Sequence, residues 1–204
     1  MRDFTGQGLF YVIIQAIICL SVFSLFVAIF VDFALYGKNE KVQKEKKSVV
    51  ETGTMTLFFI LFYVILRSGT GVIPIKSNLG KELIMIFGTM LIVVGCIANI
   101  HGRLSLGKNW ANQIKIYEEQ TLVVTGMYKI VRHPLYASII LMFIGGCLVY
   151  RNVLAFISVF AVFVPFMTYR ARQEERMLVH RFKEYGEYKE KTGMFFPKIS
   201  RSNK

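Results

Sequence analysis

The chain reads as an all-α integral membrane protein with about five transmembrane helices, a cytoplasmic polar region and a C-terminal helix. Three observations predict this. Hydrophobic residues make up 54% of the sequence, far more than a soluble domain needs for its core. Five apolar runs are long enough to consider as spans: residues 9–36, 49–66, 83–100, 135–150 and 153–169. Lys and Arg gather in alternate connections between these runs, as expected of cytoplasmic loops.

The first run, from Leu9 to Tyr36, carries no charge before Asp32. It is too long for the apolar part of a cleaved signal peptide and lacks a small-residue cleavage site after it, so a retained helix is expected. The second and third runs, from Val49 to Leu66 and from Leu83 to Ile100, are ordinary spans. The fourth and fifth, of 16 and 17 residues, are short. At 1.5 Å per residue they reach only about 25 Å, against a hydrocarbon core of about 30 Å. A tight helical hairpin around Arg151-Asn152 is expected, with Arg151 snorkelling or the bilayer locally thinned.

Orientation follows from the basic residues. Five lysines lie between Lys38 and Lys47, five basic residues between Arg103 and Arg132, and ten in the tail from Arg170 onward. All three segments belong on the cytoplasmic side, with the N-terminus outside. The net charge of +12 is spread over juxtamembrane segments, where the ordinary partner is the anionic leaflet surface, so membrane lipids and no nucleic acid are expected as partners. Cys19, Cys96 and Cys147 fall inside spans without close spacing to each other or to a histidine, which argues against a disulfide framework and against any metal site. No Gly-rich phosphate loop or internal repeat is present. The expected organisation is a single membrane domain, 1–204, with an N-terminal three-helix part, 1–100, and a C-terminal part, 101–204, that holds the hairpin and the last helix.

The chemistry is expected at two polar clusters that flank the hairpin: Gly126 through Arg132-His133-Pro134-Leu135 to Tyr136, and Arg170-Ala-Arg-Gln-Glu174-Glu175. Ionisable groups at membrane helix ends are costly unless they pair, line a cavity or bind something. Pro134 is suited to the first turn of a helix, whose free N–H groups suit an anionic or hydroxyl ligand. Taken alone, Arg132 and His133 read equally well as interfacial anchors and Tyr136 as a belt aromatic. Arg170 and Glu174 share a helix face by their spacing, and the hairpin is expected to make Tyr136 and Arg170 near neighbours. The connection from His101 to Arg132 holds Trp110, Ile114, Ile116, Leu122 and Tyr128, which is too apolar for a solvated linker, so it is expected to fold as a lid or wall with a turn at Thr125-Gly126. Met177, Leu178, Phe182, Tyr185 and Tyr188 continue as an apolar stripe.

Taken together, Leu122-Val-Val-Thr-Gly-x-Tyr128, Arg132-His-Pro-x-Tyr136, Arg170-x-x-x-Glu174-Glu175 and the tail from Phe182 through Tyr188 to Pro197 resemble the isoprenylcysteine carboxyl methyltransferase family of membrane methyltransferases. The resemblance covers about Gly107 to Pro197. It implies S-adenosyl-L-methionine as cofactor, bound at the cytoplasmic face by Gln113, Gln120, Thr121, Leu122, Val123, Tyr128, His133, Pro134, Leu135, Tyr136 and Glu174. It implies that Arg170 faces the substrate as the catalytic residue. The implied acceptor is lipophilic and membrane-embedded, such as the carboxylate of a prenylated cysteine, reaching the site from the bilayer. A sterol-reductase-like membrane oxidoreductase using NADPH, a methyltransferase acting on a lipid amine, thiol or phenol, and a non-catalytic membrane scaffold are the competing readings.

Overall fold

The computed structural model describes residues 6–36, 42–46, 49–109, 114–117 and 121–198. Helices dominate: α1 (Gly6–Tyr36), α2 (Val49–Ser68), α3 (Asn78–Leu106), α4 (Met127–Ile130), α5 (Pro134–Val149), α6 (Val153–Ser158), α7 (Val164–Arg181) and α8 (Tyr185–Lys191). Three helical stretches are long and apolar enough to cross a membrane, Gly8–Tyr36, Asn78–Asn109 and Val153–Arg181. Two shorter apolar ones, Gly53–Ser68 and Pro134–Val149, lie between them in sequence. Large apolar side chains point outward along them, and Phe30 is 74% exposed. A surface of that kind needs lipid as its solvent.

The last run differs from the expected short span. It continues without a break to Arg181, because between Tyr169 and Arg181 the sequence offers neither Gly nor Pro to stop it. Pro165 leaves its mark earlier. Residues Val159–Phe163 form a π-helical turn, with the Val164 N–H reaching back to the Val159 carbonyl, just before a proline that has no N–H to offer. The apolar stripe after it is also broken: Phe182 caps α7, and Tyr185 and Tyr188 belong to the separate helix α8.

A small feature not anticipated from sequence is an antiparallel ribbon of β1 (Val42–Lys46) and β2 (Ile114–Tyr117). It brings the connection after α1 and the one after α3 to the same end of the bundle. At the other end, Ile73 N–H donates to the Arg151 carbonyl at 2.9 Å and Val153 N–H to the Gly71 carbonyl at 2.9 Å, joining the 69–77 connection to the hairpin turn. That turn is sharp, with Arg151 at φ 52° and Asn152 capping α6 by accepting from the Ala155 N–H at 2.8 Å.

Two interfaces hold the helices. Along α3, Gly88, Gly95 and Gly102 recur every seven residues and face α5, so the two backbones nearly touch. A Cβ on Gly145 of α5 would lie 2.5 Å from the Gly88 carbonyl oxygen. The second interface is aromatic: Phe58 and Phe62 of α2 meet Phe143 of α5 and Phe163, with the Phe58 and Phe163 rings stacked at 5.0 Å.

Candidate active site

Pro134 starts α5 and leaves His133 just outside it as the N-cap residue, at φ −126° and ψ 65°, a conformation that no side-chain cap supports. The tail instead fixes this turn. Val131 bridges Gly193, Arg132 N–H donates to the Gly193 carbonyl at 2.8 Å, and His133 N–H donates to the Met194 carbonyl at 3.1 Å. The two clusters separated in sequence thus meet at one end of the bundle, as the hairpin expectation required.

Glu175 lies at the centre. Its carboxylate is almost fully buried; Oε1 accepts from Arg132 Nε at 2.8 Å and lies 3.2 Å from His133 Nε2, and Oε2 is 3.0 Å from Lys189 Nζ. Arg132 also donates to the carbonyls of Lys189 and Thr192. A buried charge is tolerable only when its partners replace water, and here they do. The other nitrogen of His133, Nδ1, lies 3.4 Å from Glu174 Oε2, and the Tyr136 hydroxyl donates to Glu174 Oε1. His133 is therefore held between two carboxylates with its ring stacked on Tyr136, centroids 5.7 Å apart. Burial works against its protonation, but the hydrogen bonds to Glu174 and Glu175 outweigh that and raise its pKa above 6.5.

Tyr128, buried in α4, has its pKa pushed up by burial first and then by the nearby Glu174 charge, so its hydroxyl stays neutral. Its carbonyl accepts from the Tyr188 hydroxyl at 2.5 Å, which ties α4 to α8. Arg170 lies where the sequence predicts, within electrostatic reach of Tyr136. Its Nη1 donates to Met55 Sδ of α2 at 3.4 Å, while its Nε is shielded from solvent and has no hydrogen-bond partner among the described residues.

Of the residues expected to form the site, His133, Pro134, Leu135, Tyr136, Tyr128, Glu174 and Arg170 converge. Thr121 is exposed and tied to Asn109, donating its N–H to Asn109 Oδ1 at 2.9 Å. Leu122 and Val123 beside it are half-buried. Gln113 and Gln120 lie outside the described residues. Sequence reasoning gave Glu175 no role of its own and missed a buried polar web directly below the turn. In it, Arg103 NH1 meets Asp32 Oδ2 at 2.5 Å, Arg103 Nε donates to Asn99 Oδ1 at 2.8 Å, and Asn99 Nδ2 donates to Ser138 Oγ at 2.7 Å and to the Leu135 carbonyl at 3.2 Å. Asp32, as the lone charge in the first apolar run, was the available signal; Asn99 and Arg103, one turn apart on the next span but one, were its partners in waiting. No group of His, Cys, Asp and Glu among the described residues is arranged to hold a metal ion.

Fold and site define the class as a helical integral membrane protein with a dense, partly buried ionic cluster at one end of its bundle. Residues 86–180 match the model of the isoprenylcysteine carboxyl methyltransferase family, which bears out the resemblance read from the C-terminal motifs. The chain is 31% identical to the protein-S-isoprenylcysteine O-methyltransferase of Saccharomyces cerevisiae over 60% of its own length and 52% of that protein. It is 33% identical to the cobalt-zinc-cadmium resistance protein CzcN of Cupriavidus metallidurans over 72% of its length and 61% of that protein. Protein-S-isoprenylcysteine O-methyltransferase B of Arabidopsis thaliana is 28% identical over 56% of this chain and 59% of that protein. The chain thus spans between about half and three-fifths of the curated relatives it matches.

Proposed function

We propose that the protein is an S-adenosyl-L-methionine-dependent methyltransferase acting on a lipophilic, membrane-embedded acceptor, with the carboxylate of a prenylated cysteine or a similar group as substrate. The observation that carries this reading is the Arg170 guanidinium, whose shielded Nε has no partner among the described residues, beside Tyr136, Glu174 and His133. The donor set suits the cofactor. Glu174 has a carboxylate that is 27% exposed and complements a cation, and Tyr128, His133 and Tyr136 supply polar and aromatic contacts around it. Gln113, Gln120, Thr121, Leu122, Val123, Pro134 and Leu135 complete the proposed cofactor wall.

When bound, the cofactor supplies a methyl group activated by its sulfonium charge. The protein's task is then alignment, since an in-line displacement gains most from holding the reactants in place. A carboxylate acceptor is already ionised at neutral pH and needs no base. Arg170 holds it by paired N–H donors, which fix one oxygen while leaving its lone pairs available. The Tyr136 hydroxyl, committed to Glu174, keeps that carboxylate in place, and His133, clamped between Glu174 and Glu175, keeps the turn from shifting. Apolar walls from α2 and α5 exclude water.

In this reading the chain is a single domain with five transmembrane helices, its N-terminus outside and the site on the cytoplasmic side, since the 38–47 segment and the tail after Arg170 carry the basic excess. Cysteines introduced into those two segments should resist an impermeant maleimide in intact cells; ready labelling from outside would reverse the orientation. Calorimetric titration of the detergent-purified protein with S-adenosyl-L-methionine and with NADPH tests the activity. Heat with the first alone supports the methyltransferase, heat with NADPH alone favours the reductase reading, and heat with neither favours a scaffold. A lipid amine, thiol or phenol is the second reading of the acceptor, and wild-type turnover of Arg170→Ala would favour it, since such a neutral group needs no guanidinium clamp.

A further inference from the structure

A cavity of about 510 Å³ lies on the outer side of α7, and Arg172, Glu175, Arg176, Val179, His180 and Lys189 are among the residues that line it. At 100° per residue, Arg172 and Arg176 project from the side of the helix away from Arg170 and Glu174, so the cavity lies behind the candidate active site and shares only the Glu175 cluster and the tail with it. Its charge is one-sided. The only carboxylate that lines it is Glu175, and both Glu175 oxygens are already engaged, Oε1 by Arg132 and His133 and Oε2 by Lys189. Arg172 and Arg176 are exposed and make no ion pair among the described residues. Clustered unpaired guanidinium groups beside an open cavity repel one another unless an anion joins them.

Depth identifies the anion. Tyr169, 54% exposed on the same side of α7, closes the last apolar run, and in the proposed membrane placement it is the belt aromatic at the boundary. Along the helix Arg172 and Arg176 lie about 4.5 and 10.5 Å farther out, which brackets a headgroup layer some 5–8 Å thick. Val179, 48% exposed, adds an apolar contact.

We propose that this cavity binds the phosphate of an anionic membrane lipid, gripped by the Arg172 and Arg176 guanidinium forks with Lys189 behind them. The proposal rests on the membrane placement given under the proposed function and not on methyl transfer. A bound headgroup would lie one carboxylate away from His133, because Lys189 and His133 share Glu175.

The test uses the intact detergent-purified protein, titrated with dioleoylphosphatidylglycerol, dioleoylphosphatidylcholine or inorganic phosphate, with retained lipid read by native mass spectrometry and melting temperature read in parallel. Phosphatidylglycerol should be retained and raise the melting temperature. Arg172→Gln/Arg176→Gln should weaken retention about 25-fold, about fivefold for each guanidinium contact to the phosphate that is lost. Lys183→Gln/Lys191→Gln, which removes the same charge from exposed positions outside the cavity, should stay within about twofold. Should the double arginine variant not fold in neutral detergent, Arg176→Gln alone should show the single fivefold step. Undiminished retention by the arginine variants, equal retention of phosphatidylcholine, or equal protection by inorganic phosphate would each overturn the lipid site. A wild-type protein that retains the lipid but takes up neither S-adenosyl-L-methionine nor NADPH would sink the proposed activity and leave this site standing.

Discussion

The α3–α5 seam and the aromatic seam that α2 makes with Phe143 of α5 and Phe163 of the π-helical turn solve the same packing problem in opposite ways. Along the first, glycines bring two backbones into contact, and the buried charges at the site's turn are partnered: Asp32 with Arg103, Arg132 and His133 with Glu175. Along the second, interleaved phenylalanine rings do the packing, and Arg170 meets α2 through the sulfur of Met55. Backbone contact cannot yield without moving a helix, whereas rings and a thioether can repack. The contrast separates a framework that fixes the turn from a wall able to repack, where the proposed lipophilic acceptor would enter.

The largest effect is expected where the open seam carries its charge. Arg170→Ala should abolish methyl transfer in an assay with a prenylcysteine analogue while cofactor affinity stays within a few fold, because the lost contact belongs to the other reactant. Arg170→Lys should restore little, since an ammonium lacks the planar two-pronged contact. Wild-type turnover in Arg170→Ala would point to a neutral acceptor and erase the functional half of the comparison.

On the closed side, Glu175→Ala strands Arg132 and removes one of the two partners of His133, and about 3–5 kcal/mol of stability should be lost by chemical denaturation. Gly145→Val drives a side chain into the Gly88 carbonyl oxygen and should cost about 1–3 kcal/mol, toward the upper end because backbone cannot swing aside. Phe59→Ala, at a ring 44% exposed on the aromatic seam, should cost clearly less. Equal losses for Gly145→Val and Phe59→Ala would show that the two seams do not differ in stiffness.

Where the seams meet, His133→Ala or Glu174→Ala should weaken S-adenosyl-L-methionine about tenfold or more, on the order of 1.4 kcal/mol, by calorimetry. Unchanged affinity in both folded variants would remove these residues from the cofactor wall. The smallest effect is expected from pH. Because the folded-state pKa of His133 is raised above 6.5, its stabilising contribution is complete below that pH and is lost as pH rises through the raised value. Melting temperature should fall over that interval in the wild type, and His133→Gln should flatten the fall.

Much of this was legible in the sequence. Apolar runs of the right length mark the helices because lipid demands internally bonded backbone, and Pro134 marks the start of α5 because its missing N–H costs nothing there. The spacing of Arg170 and Glu174 fixed their shared face, and the shortness of the turn at Arg151-Asn152 brought Tyr136 near them. The motifs from Leu122 to Glu175 carried the family resemblance for the same reason: they are local in sequence. What only the tertiary structure decided lies in contacts between distant segments. Glu175 as the hub of Arg132, His133 and Lys189, the Asp32–Arg103–Asn99 web spanning α1 and α3, and the pairing of the 193–194 backbone with Arg132 and His133 each join residues whose separation along the chain exceeds any local period. A sequence shows that Asp32 and Arg103 each need a partner; the packing of α1 against α3, set by side chains all along both helices, chooses which one.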